Sequence, residues 1–265
     1  MINIGINGVC GRMGLRIAEL VAEDESLKLV TALEVEGHPH IGKDLSSILS
    51  QSHKGVVVSH ELNSSPDVLI DFTSPDSTLA RLKVCSDNGT AMVIGTTGMN
   101  SEQIEQVNKA SQKIPCLLSP NMSIGVNLLF NLVETVSKIL GDESDIEIIE
   151  LHHRFKKDAP SGTALKIAEK ICSVTNRKMD EVVIYGRKGL TGERPKDQIC
   201  IHSIRSGDII GEHTITFCSG GERLELVHKA QSRDAFAIGA IRAAKFLSGR
   251  PPGLYKMEDV LKDMR

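Results

Sequence analysis

Ile2 to Asn7 is a short run of β-type residues that ends in Gly8, Gly11 and Gly14, one glycine every third residue. Behind them Met13, Ile17, Leu20 and Val21 recur at helical spacing through Arg12 to Glu23. Strand, glycine turn and helix in that order open a βα unit, and the pattern continues. Leu27 to Glu34, Asp67 to Phe72, Ala91 to Gly95 and Pro115 to Leu118 read as further strands. Ser77 to Ser86, with Pro75 just before it, and Ser101 to Gln112 read as helices between them. Strands alternating with helices need right-handed crossovers, which makes the first part a doubly wound parallel sheet of the α/β class.

After the helix of Ile124 to Leu140 the pattern changes. Asp145 to His152 alternates as a strand and Thr163 to Val174 is a helix. The runs Glu181 to Tyr185, Ile199 to Ser206, His213 to Cys218 and Arg223 to Val227 then read as strands. Glycine-rich turns at Ser206-Gly207-Asp208 and Ser219-Gly220-Gly221 separate the later ones, so a second α+β domain with an antiparallel or mixed sheet is expected. The Ala-rich helix Ala235 to Leu247 suits the helical layer of the first domain. The expected division is 1–124 with 234–265, and 125–233.

Composition narrows the function classes. The 265 residues are 40% hydrophobic and 25% charged, which fits a folded globular protein and leaves out disordered, collagen-like and coiled-coil chains. A formal charge of -3 and the absence of Trp argue against a nucleic-acid reader, which needs a basic face and stacking rings. No basic run with a long apolar segment opens the chain, and no apolar stretch reaches the ~18 residues of a membrane span. The best candidate, Ile124 to Val136, is interrupted by Gly125, Asn127, Asn131 and Glu134 and reads as an ordinary buried helix. The six cysteines are scattered without a CxxC pair, so reduced and mostly buried thiols in a cytoplasmic protein are expected, with no membrane or nucleic-acid partner.

Three stretches carry chemistry. At the first strand-to-helix turn, glycine lets the backbone approach a pyrophosphate, whose charge suits the free N–H groups at a helix start. Glu34, twenty residues after Gly14, stands where an acid can accept both hydroxyls of an adenosine ribose. Cys10 occupies the second position of the glycine pattern, and the glycines alone also fit a plain tight turn. Gly95-Thr96-Thr97-Gly98 follows a strand at the carboxyl edge of the sheet, where such folds bind ligands, and equally fits a simple loop.

The densest cluster runs from Glu150 to Thr163 and includes His152, His153, Lys156 and Ser161-Gly162-Thr163. Histidine exchanges protons near neutral pH, and hydroxyls with exposed N–H donors at a helix start seat a carboxylate. Cations beside an anion-binding helix start point to a small acidic substrate. A solvated basic loop with Ser161 as an ordinary helix cap is the plainer alternative. No metal site is expected, because neighbouring His152 and His153 point to opposite faces of a strand and no third ligand is evident.

These residues carry a resemblance. Gly8 to Gly14, Asp71-Phe72-Thr73, Val93 to Gly98, Asn121 to Asn127 and the Glu-x-His-His and Asp-Ala-Pro-Ser-Gly-Thr-Ala blocks within Asp145 to Ala164 resemble the dihydrodipicolinate reductase (4-hydroxy-tetrahydrodipicolinate reductase) family. Thr191 to Arg194, Arg205 to His213 and Gly221 to Glu225 extend it along nearly the whole chain. The resemblance implies a Rossmann-type domain that holds NADH or NADPH and a second domain that binds a dicarboxylate and builds a homotetramer through its sheet. It places cofactor contacts on Gly8, Val9, Cys10, Gly11, Arg12, Met13, Glu34, Gly95, Thr96, Thr97, Pro120, Asn121, Met122 and Ser123. The catalytic residues it implies are His152 and Lys156, with His153, Gly162 and Thr163 at the substrate carboxylates. The implied reaction reduces the cyclic dicarboxylate, with loss of water, to tetrahydrodipicolinate in the diaminopimelate and lysine route.

Two positions depart from the family's pattern. Cys10 stands where glycine is frequent, and Val35 follows Glu34 where many members carry arginine, so NADH is expected to serve at least as well as NADPH. Two rival readings share the fold: an amino-acid dehydrogenase acting on another small acid, and a non-catalytic NAD(H)-binding regulator. Activity on aspartate or homoserine would mark the first; cofactor binding without turnover would mark the second.

Overall fold

The computed structural model describes residues 1–49 and 53–264. In chain order the elements are β1 (Ile2–Asn7), α1 (Arg12–Ala22), β2 (Leu27–Leu33), β3 (Val58–Ser59), β4 (Val68–Asp71), α2 (Pro75–Asn88), β5 (Ala91–Ile94), α3 (Ser101–Ser111), β6 (Pro115–Leu118) and α4 (Ile124–Leu140). They continue with β7 (Asp145–His152), α5 (Gly162–Val174), α6 (Met179–Val182), β8 (Val183–Ile184), β9 (Ile199–Arg205), β10 (Gly211–Ser219), β11 (Glu222–Ala230), α7 (Asp234–Leu247), β12 (Gly253–Tyr255) and α8 (Met257–Asp263).

The chain forms two compact units, Met1–Ile124 with Asp234–Arg265, and Gly125–Arg233. In the first, seven strands lie in the order β12-β6-β5-β4-β1-β2-β3, every neighbouring pair parallel. The inner strands are apolar without alternation (Val68, Leu69 and Ile70; Met92, Val93 and Ile94), as a sheet covered on both faces demands. One core layer joins Ile4, Ile6, Ile17, Val21, Val93, Ala240 and Ala244; another joins Leu69, Leu82, Met92, Ile94 and Val107. Arg16 ties α1 to α7 through a two-pronged contact with Asp234 at 2.8 and 2.9 Å.

In the second unit five strands lie in the order β11-β10-β7-β9-β8. β10 runs antiparallel to β7 and β11, while β9 runs parallel to β7 and β8, so the sheet is mixed. α4 and α5 cover one face, where Leu129, Phe130, Val133, Ile167 and Ile171 pack against Ile146, Ile148, Ile199, Ile215 and Phe217. The fold class expected from the sequence is thus the one observed.

Several local expectations are corrected. Glu181 to Tyr185 is not a strand throughout: Met179–Val182 turns as α6 and only Val183–Ile184 pairs. Asp180 and Glu181 in the first turn favour a helix start, and Lys178 reaches Glu181 at 2.8 Å. Pro75 lies inside α2 as its first residue, where a missing N–H costs nothing. α4 is not buried all round, since Leu128, Leu132 and Ile139 are exposed; its apolar residues exceed the single face that packs on the sheet. Among the described residues no helix is long and apolar enough to cross a membrane.

Candidate functional site

The glycine turn is built by three separate constraints. Gly8 sits at φ +75°, and its N–H and that of Val9 both bond Leu33 O, at 2.9 and 3.0 Å. Gly14 lets α1 press onto the turn: a Cβ there would lie 2.1 Å from Gly8 O and 2.7 Å from Val9 Cα. Gly11 is exposed at the start of α1, whose first turn, beginning with Arg12 and Met13, contains no acidic residue. Cys10 does not disturb this geometry, because among the described residues only Asn176 combines a side chain with a left-handed φ. Its thiol is half-buried beside Glu34, and burial, reinforced by that carboxylate, pushes its pKa up to about 11.

Glu34 follows the last residue of β2. Its Oε2 accepts the Cys10 N–H at 3.0 Å and its Oε1 the Val35 N–H at 2.9 Å. A bare turn, an open helix start and an oriented carboxylate suit the pyrophosphate and ribose of a dinucleotide.

The carboxyl edge of the same sheet is organised by Asp71, a residue to which the sequence reading gives no role. It is wholly buried and accepts from Asn7 Nδ2 at 2.9 Å, Thr73 Oγ1 at 2.6 Å, Thr96 Oγ1 at 3.2 Å and Thr78 Oγ1. Burial raises its pKa, and the surrounding hydroxyls and amide oppose that rise. The Thr96 hydroxyl, which also accepts the Thr73 N–H at 2.9 Å, is therefore turned inward, while Thr97 is exposed. Gly95 packs on the Phe72 ring, where a Cβ would come within 2.3 Å. Pro120 is exposed and Asn121 half-buried, and Met122 and Ser123 are buried. Asn121 Oδ1 accepts the Ser123 N–H at 2.9 Å, turning the chain into α4, and Gly239 of α7 fits against Met122 O.

In the second unit the inward side of β7 reads Ile146, Ile148, Glu150, His152, so the hydrophobic stripe ends in a carboxylate and an imidazole. Glu150 is fully buried, and its Oε2 lies 2.5 Å from His152 Nδ1. Arg205 clamps the same carboxylate at 2.8 and 2.9 Å. Burial alone would raise the pKa of Glu150, but the bonds from His152 and Arg205 hold it well below the carboxylate range. His213 of β10 stands edge-on to His152, centroids 5.3 Å apart, and its Nε2 lies 3.2 Å from Ser161 Oγ.

His152 ends β7, and the chain then turns through His153 and Lys156. His153 Nδ1 is buried with no hydrogen-bond partner among the described residues. Lys156 Nζ pairs with Asp158 at 2.9 Å. Ser161 caps α5, its Oγ accepting the Ala164 N–H at 3.2 Å, and Gly162 leaves the helix start open, a Cβ there meeting nothing within 4 Å among the described residues. The first-turn N–H groups of a helix have no acceptor within it, so the start of α5 at Gly162 favours an anion.

Among the described residues, two groups of ligand-type atoms lie within 4.8 Å of one another, Cys10 with Glu34 and His38, and Glu147 with Cys200 and His202. Neither includes His152 or His153. In the second, Glu147 is already paired with Arg187, Arg194 and His202, at 2.8, 3.2 and 2.7 Å.

A parallel sheet with a glycine turn, in a chain whose second unit ends a strand in a Glu–His pair, defines an α/β protein of the Rossmann dehydrogenase type. The family model "Dihydrodipicolinate reductase, N-terminus" matches residues 2–122 and "Dihydrodipicolinate reductase, C-terminus" matches 125–261. The chain belongs to the dihydrodipicolinate reductase family and is an oxidoreductase. It is 46% identical over 264 residues to 4-hydroxy-tetrahydrodipicolinate reductase of Syntrophus aciditrophicus, covering 98% of each chain. The enzyme of that name from Nitrosomonas europaea is 49% identical over 263 residues, again 98% of each. Among solved structures, a dipicolinate-bound dihydrodipicolinate reductase from Paenisporosarcina sp. TG-14 matches with a TM-score of 0.75 and 30% identity over 97% of each chain.

Proposed function

We propose that the protein reduces 4-hydroxy-tetrahydrodipicolinate, with loss of water, to tetrahydrodipicolinate, using NADH or NADPH in the diaminopimelate and lysine route. The observation that carries this reading is the His152–Glu150 pair at the end of β7, followed by Lys156 and the open start of α5, in a chain that matches the family over nearly its full length.

The first unit holds the dinucleotide. Gly8, Val9, Cys10, Gly11, Arg12 and Met13 surround the pyrophosphate, Glu34 takes the adenosine ribose, and Gly95 to Thr97 with Pro120 to Ser123 line the nicotinamide end. When bound, the dinucleotide supplies the hydride. In the second unit the N–H groups of Gly162 and Thr163, with His153, seat the substrate carboxylates. Reduction of a conjugated imine drives negative charge through the substrate ring, and His152 answers it by giving up a proton at Nε2. Lys156 places its positive charge where that electron density develops, a stabilisation already in place before the reaction starts.

The sheet face turned away from α4 and α5 carries Ile149 and Val227, both paired across Thr214, and the exposed Ile204. That face supports assembly of four copies through the second unit, in the cytoplasm.

The test is an assay coupled to the upstream synthase, following NADH absorbance. Oxidation of NADH that depends on the synthase product is expected. Turnover with aspartate or homoserine instead, or cofactor binding without any turnover, would overturn the reading.

A further inference from the structure

Glu150 lies where the alternation of β7 calls for a third apolar residue after Ile146 and Ile148. It is fully buried, and both oxygens are occupied: Oε2 by His152 Nδ1 at 2.5 Å and Arg205 Nη1 at 2.9 Å, Oε1 by Arg205 Nη2 at 2.8 Å and the Ser161 N–H at 3.1 Å. An ionised carboxylate only accepts, and four donors converge on this one. The nitrogen of His152 that faces it therefore bears a proton, and Nε2 remains for exchange. Gly211 lies against that far side of the ring, since a Cβ there would come 3.0 Å from His152 Nε2. His213 closes a further side, its ring 74° to that of His152.

Arg205 reaches further. Its Nη2 also donates to Asp158 O at 2.6 Å, and the Asp158 carboxylate holds Lys156 Nζ at 2.9 Å. One partly buried ion pair thus fastens the imidazole, the start of α5 through Ser161, and the loop that carries Lys156.

We propose that Glu150, neutralised by Arg205, is the positioning residue of the acid–base site: it fixes His152 with Nδ1 protonated and Nε2 turned away from the carboxylate, and through Arg205 it fixes the loop of Lys156. This rests on the reading of His152 and Lys156 as the reacting pair. A buried ion pair contributes little net stability against an apolar pair of the same volume, so its value lies in orientation.

The experiment compares native protein, Glu150→Gln, Glu150→Asp and Arg205→Lys by steady-state kinetics, and by nitrogen and proton NMR with labelled histidine. In the native protein His152 is expected to show a Nδ1 proton far downfield, bonded to a carboxylate, and Glu150→Gln should abolish it. Glu150→Gln should lower kcat by about 10²-fold or more, the range of a positioned proton transfer, with KM for NADH within about twofold. Glu150→Asp, which keeps the charge, should recover part of kcat. A native His152 with no proton on Nδ1, or a Glu150→Gln enzyme with native kcat, would overturn the proposal. If Glu150→Gln does not fold, the native resonance and the Glu150→Asp kinetics decide. A native protein with the Nδ1 resonance but no reductase activity would overturn the functional reading and leave the Glu150–His152 geometry standing.

Discussion

The N–H of Cys10 donates to Glu34 Oε2 at 3.0 Å, so the turn after β1 is tied to the exit of β2. With the Val35 N–H on Oε1 at 2.9 Å, the carboxylate is oriented before any ribose arrives. Its charge repels a 2′-phosphate, and Val35, 66% exposed, offers nothing to offset it. The protein is expected to use NADH at least as well as NADPH. Val35→Arg should shift the ratio of kcat/KM towards NADPH about tenfold or more, since a charge-assisted phosphate contact contributes roughly 1.5 to 3 kcal/mol. Both cofactors are compared at one ionic strength, because salt screens the effect. An unchanged ratio would show that Val35 does not set the choice.

His152→Gln and Lys156→Met should lose mainly turnover, by ~10²- to 10⁴-fold for a positioned proton donor. Thr163→Val should instead raise KM for the substrate with kcat largely kept, because its contact acts equally on ground and transition states. Initial rates across both substrates separate the two patterns. Near-native kcat in both His152→Gln and Lys156→Met removes them from the chemistry.

His213 sets a limit on acid stability. Burial pushes its pKa down to about 3, with His152 adding, Glu150 opposing, and His228 and Lys156 adding further. The unfolded chain takes up this proton near pH 6.5 whereas the folded one waits until about pH 3, so stability is kept above the first value and drains away towards the second. By pH 5 the loss from this residue is about 2 kcal/mol. His213→Gln keeps a partner for Ser161 Oγ and cannot titrate. Urea unfolding at pH 7 and pH 5 should show a smaller fall for the variant by about that amount, and parallel falls would refute the assignment.

Gly14→Ala should harm both folding and cofactor binding. The new Cβ meets backbone, Gly8 O at 2.1 Å and Val9 Cα at 2.7 Å, which cannot swing aside. Overpacking of this kind costs about 1 to 3 kcal/mol. At Gly11 the Cβ meets, among the described residues, only Gly8 O and at the longer distance of 3.2 Å, so Gly11→Ala should cost less than Gly14→Ala. Urea midpoints and NADH titrations of the two variants give the comparison; equal midpoints would contradict it.

The sequence shows the parallel sheet plainly because its signals are local: glycines at a turn, apolar runs of strand length, helices at regular spacing. β3 with two residues and β12 with three are too short to carry a period, and only pairing with β2 and β6 makes them strands. Glu181 to Tyr185 misleads because Val182, Val183 and Ile184 favour a strand while the acids before them favour a helix turn. At the candidate site, His152 to Thr163 is contiguous and stands out as a motif. Arg205 and His213 arrive from β9 and β10 through sheet register, which no spacing along the chain reveals. Glu150 has a legible signal, an acid at an inward position of an alternating strand, although its meaning depends on the arginine opposite.

The second unit, which begins with α4, is an insertion between β6 and α7, and that has a consequence for synthesis. A chain emerging from the ribosome at ~5 to 20 residues per second exposes β1 to β6 first. Their sheet then lacks its edge strand β12, and α1 lacks α7 and the anchor between Arg16 and Asp234. Gly125–Arg233, contiguous in sequence, is free to fold as soon as it is made. The unit begun first is therefore completed after the other, and the nascent protein carries an open sheet edge at β6 until β12 (Gly253–Tyr255) is released.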